Sequence, residues 1–284
     1  MYIIFIPIII IALTIAFSIW QSNKRKHRIT SRQQWAFQFI HTARFLVEHL
    51  PQHRGMANAF LKGDASFEEK LKTLHIKIEE DFSDLQQITE HQLSVLNIDD
   101  LHLIHSEWRS IKETLYGLDP ETSFSRHTLL ISSLLDKIED IAELVSLYEY
   151  DKTYHLLIKA VISDLPRLTE SLGQARGIGT GIATLTHCSI ADQIKLNFLS
   201  EKCSVIFKNT VTPLLNSNNK ALSSHEDSLR HCLDSGQSFI ISIHDDLINA
   251  QKIEIDPTQY YDNATRAIEE SFKLFDSLLA TVKQ

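Results

Sequence analysis

Residues 50–56 read Leu-Pro-Gln-His-Arg-Gly-Met, and residues 172–178 read Leu-Gly-Gln-Ala-Arg-Gly-Ile. Aligning Arg54 with Arg176 also pairs Leu50 with Leu172, Gln52 with Gln174 and Gly55 with Gly177, at an offset of 122 residues. A second echo follows: Phe124, Thr128 and Ile131 have the spacing of Tyr261, Thr265 and Ile268, at an offset of 137 residues. Two echoes in the same order mark an internal repeat. They divide the chain into halves of roughly 31–150 and 151–284, with the difference in length placed in loops.

Outward from these stretches the periodicity is helical. Trp35, Phe39, Leu46 and Leu50 follow helical spacing, and Phe67, Leu71, Leu74, Ile78, Phe82 and Leu85 form one apolar stripe. Ser66-Phe67-Glu68-Glu69 and Ser223-Ser224-His225-Glu226 read as capping boxes. Asp99 or Asp100 starts a helix that ends near Gly117, Asp119-Pro120 turns into the next, and Ile190–Leu215 reads as one helix. Asp256-Pro257 is an N-cap and N1 pair for a last helix carrying Tyr260, Ala264, Ile268, Phe272, Phe275 and Leu279. No period-2 strand stands out. With only 8 Gly and 6 Pro, against about 20 and 14 at average usage, the chain lacks the turn chemistry of a sandwich or a Rossmann fold. The expected fold is all-α: one N-terminal transmembrane helix followed by two packed up-down helical bundles.

The transmembrane expectation rests on Tyr2–Trp20, a run of 19 residues without Asp, Glu, Lys or Arg. Lys24, Arg25, Lys26, Arg28 and Arg32 follow it and no basic residue precedes it. That asymmetry places the C-terminal side in the cytoplasm, and the missing basic n-region and small-x-small site argue for an anchor over a cleaved signal peptide. The organisation expected is an anchor over 1–23, a basic juxtamembrane segment over 24–30 and a helical domain over 31–284, localised as a single-pass protein of a bacterial inner membrane. The net charge of −8 argues against a nucleic-acid binder. Cys188, Cys203 and Cys232, odd in number and never at CxxC spacing, fit a reducing compartment.

Glycine inside a helix costs about 1 kcal/mol relative to alanine, yet this glycine-poor chain twice places one directly after an arginine. Gly173, Gly177 and Gly181 fall at i, i+4, i+8 and form one bare stripe, which admits a close helix–helix crossing. Arg176 has Thr180 one turn on, and Arg54 has Asn58 at the same offset. Guanidinium is planar, forked and permanently charged, and matches a small planar oxyanion through two parallel bonds. Two of them meeting between the halves would neutralise a buried monoanion. The alternative for each arginine is a salt bridge to one of the 36 carboxylates, and for the glycines a packing role alone.

At these residues a family resemblance appears. Residues 165–179, Leu-Pro-Arg-Leu-Thr-Glu-Ser-Leu-Gly-Gln-Ala-Arg-Gly-Ile-Gly, look like the signature of the nitrate- and nitrite-sensing (NIT) domain. His53-Arg54-Gly55 and Tyr260-Tyr261-Asp262-Asn263-Ala264-Thr265 resemble its other motifs, and the likeness covers nearly everything after the apolar run. The resemblance implies two all-helical bundles, an oxyanion site built from arginines, and use as an input domain of bacterial chemoreceptors, kinases and antiterminators. Arg54 and Arg176 match motif positions. Where some members carry a second arginine, His53 stands here, which would make affinity pH-dependent. A further family arginine has Arg230 and Arg266 as candidates.

The expected ligand-binding residues are therefore Arg54, Arg176, His53, Asn58, Thr180, Gly55 and Gly177. No Walker A, GxSxG or GxGxxG motif occurs, and no enzymatic activity, cofactor or metal site is expected. The pairs His49/His53 and His102/His105 lack convincing ligand sets and read as surface or capping histidines. The expected partners are nitrate or nitrite, the membrane through residues 2–20, an output protein that carries the signal, and a second copy as a homodimer, but no nucleic acid. The competing expectation is a membrane-tethered helical adaptor without a small-molecule ligand.

Overall fold

Short acidic and hydroxyl caps set the helix starts. Asp256 accepts from the backbone N–H groups of Thr258 and Gln259 at 2.9 and 3.1 Å, Pro257 presets the backbone behind it, and α10 (Pro257–Val282) begins. Asp119 accepts from Thr122 N–H at 2.9 Å ahead of Pro120 and starts α4 (Pro120–Leu144). Ser189 and Asp192 cap each other reciprocally at the head of α7 (Ile190–Ile206). The capping box expected from sequence at Ser66 does not form. Asp64 takes both the N–H and the hydroxyl of Ser66, at 3.0 and 2.6 Å, because a carboxylate is the stronger acceptor; a 3₁₀ turn over Ala65–Phe67 then leads into α2 (Glu68–Glu90). Before α9 (Glu226–Ser242), a 3₁₀ stretch covers Lys220–His225, and the His225 ring bonds Ser277 and Thr281 of α10 instead of capping.

The computed structural model describes residues 5–90, 99–150, 154–217 and 220–283, and the described side chains exclude 5–19, 22–28, 99 and 220–221. Among the described residues the fold is all-helical, with no strand. In the first half α1 (Phe5–Leu61) packs along α2 and α4, and α3 (Asp99–Thr114) packs on α4. In the second, α5 (His155–Lys159) runs through a π-helical turn (Ala160–Asp164) into α6 (Leu165–Leu185), which packs along α7 and α10. Another π turn (Phe207–Val211) joins α7 to α8 (Thr212–Leu215), so the expected single helix over 190–215 carries a bulge, and α9 packs on α10. The order and neighbours of α1, α2, α3 and α4 thus match those of α6, α7, α9 and α10. The halves meet where α1 and α4 contact α6, and their apolar faces share one continuous core.

The membrane expectation is overturned. Residues 1–4 and the side chains of 5–19 and 22–28, which hold most of the apolar run and of the basic cluster, lie outside the description. Among the described residues no helix is long and apolar enough to cross a membrane. A single-pass inner-membrane placement with a cytoplasmic domain, and a membrane partner, are therefore not upheld. From Phe5 on, the run is part of one helix of 57 residues, Phe5–Leu61. The later turns of that helix are amphipathic and bury Trp35, Phe39, Leu46 and Leu50 against protein.

The two halves fill equivalent core space differently. In the first, His53 and His127 are fully buried with Trp108 beside them. At the equivalent positions the second half has Ala175 and Ala264, and the buried ring of Tyr260 occupies the room they leave, donating to Ala175 O at 3.1 Å. The Tyr260 counterpart in the first half is the small Ser123. The histidines form a row: His75 Nε2 lies 2.8 Å from His53 Nε2, His53 Nδ1 lies 2.7 Å from His127 Nε2, and His127 Nδ1 lies 2.7 Å from Ser123 O. A carbonyl only accepts, so His127 Nδ1–H donates to it, and the tautomers of His53 and His75 follow in turn. Burial holds His53 well below the ordinary histidine value and brings His127 down to about 4, and it lowers His75 too.

Two predictions follow from this packing. A Cβ added at Gly179 would lie 2.2 Å from the Tyr260 ring, which is buried and tied by its hydroxyl, whereas one added at Gly55 meets nothing within 4 Å. Gly179→Ala should therefore lose about 2–3 kcal/mol in urea unfolding, and Gly55→Ala should gain up to about 1 kcal/mol; equal midpoints would refute the packing. The second concerns pH. The native state keeps His53 and His127 neutral, while the unfolded chain protonates them near 6.5. Stability is then full above about pH 6.5 and falls as pH drops toward about 4, by about 1.4 kcal/mol per pH unit for each such histidine. Urea midpoints measured from pH 7.5 to 5 should decline, and less steeply in His127→Gln, whose side chain cannot ionise.

Candidate functional site

The two arginines sit in equivalent frames. Arg54 on α1 is 1% exposed, its Nη1 donates to Thr128 Oγ1 at 3.1 Å, and its guanidinium lies 4.8 Å from the centre of the Phe124 ring. Arg176 on α6 is 8% exposed, its Nη1 donates to Thr265 Oγ1 at 3.0 Å, and it lies 4.7 Å from the Tyr261 ring. The two echoes of the sequence are one unit: an arginine on the first helix of each half, and an aromatic ring with a threonine one turn later on the last. The aromatic face favours a cation, so each frame receives a guanidinium at two points.

The frames differ in what faces the charge. Both Nη atoms of Arg54 donate to Glu170 of α6, at 2.5 and 3.1 Å, and Glu170 also accepts from Gln174 Nε2 at 2.7 Å. Among the described residues Arg176 has no carboxylate within ion-pair distance. Burial pulls its basicity down; the neighbouring Tyr261 and Glu269 raise it, and the charge of Arg54 lowers it. Arg176 stays protonated, since guanidinium holds its proton under all ordinary conditions. One turn on, the Thr180 hydroxyl is buried with no hydrogen-bond partner. A buried cation without a counter-charge and a buried hydroxyl without a partner are both unfavourable unless a ligand meets them.

The glycine stripe lets the halves come close. A Cβ at Gly173 would stand 3.4 Å from Arg54 Nη2, and one at Gly177 would stand 3.2 Å from the Phe124 ring. A groove of about 650 Å³ opens alongside, lined by Asn58 of α1, Phe124 and Thr128 of α4, and Gln174 and Gly177 of α6. It gives solvent a route to the Arg54 frame. The alternatives left open by the sequence therefore separate by residue. The stripe is a close crossing, Arg54 is salt-bridged, and Arg176 is not.

Of the residues expected at the site, Arg54, Asn58 and Gly177 lie around the groove or the Phe124–Thr128 frame, and Arg176 and Thr180 share a face of α6. Gly55 faces open space. His53 is not brought to them: His75 and His127 occupy both of its ring nitrogens. It is a core residue, not the surface or capping histidine expected. His49 bonds Asp81 at 2.6 Å and His105 bonds Glu79 at 3.0 Å. Arg230 is exposed and paired with Glu226, and Arg266 is exposed on α10, so neither completes the site. Glu170 lies within the 165–179 stretch, but its role escapes sequence reasoning because its partner is 116 residues away.

No protein-family model matches the chain, and no curated protein matches it closely enough in sequence to count as a relative. Among solved structures, that of the NasR transcription antiterminator is similar, with a TM-score of 0.66 over 94% of this chain and 73% of that one, at 13% sequence identity. At that identity the likeness is one of fold: the same helical architecture carries both sequences.

Proposed function

We propose that the chain is a sensor domain for a small planar oxyanion, nitrate or nitrite, which seats against Arg176 between the helical halves. The observation that carries this reading is the buried Arg176 guanidinium without a carboxylate, with the unpartnered Thr180 hydroxyl one turn away. A bound monoanion supplies the missing counter-charge and an acceptor for the hydroxyl. The resemblance of residues 165–179 to the nitrate- and nitrite-sensing signature supports the choice of anion. The fold shared with a transcription antiterminator supports a regulatory role, since that resemblance implies use in antiterminators. No bond is made or broken in this reading. Occupancy biases the packing of α6 against α10, by no more than the difference in anion affinity between the two packings, and an output protein reads that bias.

A second reading has its own observation. Ile190, Ile194 and Phe198 stand at i, i+4 and i+8 on α7 with 77, 65 and 62% exposure, an apolar stripe of the kind a protein partner covers. In that reading the chain is a helical adaptor that binds no anion. Calorimetric titration of the full chain with nitrate, nitrite, chloride and sulfate separates the two. The sensor binds nitrate or nitrite, and Arg176→Gln abolishes the heat of binding while making the anion-free protein more stable by about 1–2 kcal/mol, because an unpaired buried charge is gone. Unchanged nitrate affinity in a folded Arg176→Gln protein, or a folded wild type that binds neither anion, would sink the sensor and leave the adaptor.

A further inference from the structure

Among the described residues, Glu170 is the one carboxylate within ion-pair distance of either buried arginine. It is 7% exposed and comes from α6, across the contact between the halves, to Arg54 on α1. Its two oxygens take the two Nη atoms of Arg54 at 2.5 and 3.1 Å. A carboxylate in that pose has the planarity, the charge and the oxygen spacing of the ligand proposed for the site. We infer that Glu170 is a resident counter-anion that fixes the charge of the ligand: by cancelling Arg54 it leaves a single net positive charge, so the site accepts a monoanion and rejects a divalent one. The inference rests on the oxyanion reading above and names the residue that sets its selectivity.

The arithmetic uses only groups on the page. Two guanidinium groups and one carboxylate sum to +1. Nitrate or nitrite brings the buried total to zero. Sulfate or hydrogen phosphate would leave an uncompensated negative charge against these buried groups, which is unfavourable. Charges nearer solvent do not alter the balance. Lys62, Lys195, Glu121 and Asp192 line the groove and themselves sum to zero, and Glu269 on α10 is exposed, where water and salt screen it. The groove of about 650 Å³ beside the Arg54 frame has room for a tetrahedral dianion, so size alone would not keep one out. Charge does.

The test uses the full chain and two substitutions of opposite sign, titrated at pH 8 and constant ionic strength with sodium nitrate and sodium sulfate, with folding checked by circular dichroism. Glu170→Gln keeps the side-chain shape and raises the buried charge to +2. It should raise the ratio of sulfate to nitrate affinity by about tenfold or more, the order expected for one unit charge at a few ångströms in a partly buried site. Gln174→Glu places a second carboxylate beside Glu170 and should weaken nitrate binding by about tenfold. A folded Glu170→Gln protein with the wild-type ratio overturns the inference. If that variant does not fold, unchanged nitrate affinity in Gln174→Glu overturns it. Wild type that binds nitrate while both variants behave like it leaves the sensor reading standing and removes this one alone; wild type that binds no oxyanion removes both.

Discussion

The contact between the halves depends on one buried ion pair. Arg54 reaches from α1 past the bare edge of Gly173 to the carboxylate of Glu170 on α6. Neither group has much access to water, so the pair gives little net stability over an apolar contact of the same volume. What it supplies is register. If α6 slid by a residue along α1, a side chain would replace the hydrogen at Gly173, and both charges would be buried without partners. The glycine stripe and the ion pair therefore enforce each other: the stripe makes the approach close enough for the bond, and the bond penalises any other alignment of the stripe.

That register sets two equivalent frames side by side and fills them unequally. Each has an arginine from the first helix of its half and an aromatic ring with a threonine from the last. Only the Arg54 frame has a carboxylate. The same inequality runs through the core beside them, where a row of histidines in one half faces two alanines and the ring of Tyr260 in the other. A repeat preserves the backbone scaffold because both halves must bury the same apolar stripes. It leaves side-chain occupants free to differ wherever the total volume is kept. The unpaired charge on Arg176 is an instance of that freedom, and under the sensor reading it is the reason for it.

Local signals carried the fold. Helical periodicity, Asp-Pro starts and the two echoes each depend on residues a few positions apart, and they led to the all-helical bundle and to the arginines. The readings that failed met either a rival group close by or a partner far along the chain. Ser66 looked like a cap because Asp64 was not weighed as a rival acceptor. His53 looked like a ligand because it adjoins Arg54, but consecutive helix positions point about 100° apart, and His53 faces the core while Arg54 faces the other half. The apolar run at the start was read as an element by itself, whereas α1 continues from it into the bundle without a break. Glu170 lies inside the 165–179 signature, but nothing local ties it to Arg54, 116 residues away.

Under the sensor reading, the inequality of the frames also decides which part of the fold an anion would move. Glu170 satisfies the Arg54 frame whether or not a ligand is present, so the packing of α1 against α4 has little differential affinity to offer. The Arg176 frame would gain a counter-charge only on binding a ligand. Its aromatic member, Tyr261, is 43% exposed, while Phe124 in the other frame is half-buried beneath the groove. Arg176, Thr265 and Tyr261 link α6 to α10, so that pair of helices is where occupancy would be converted into geometry. In that reading the frame with the closed ion pair would serve as the fixed reference, and the frame with the open charge would respond.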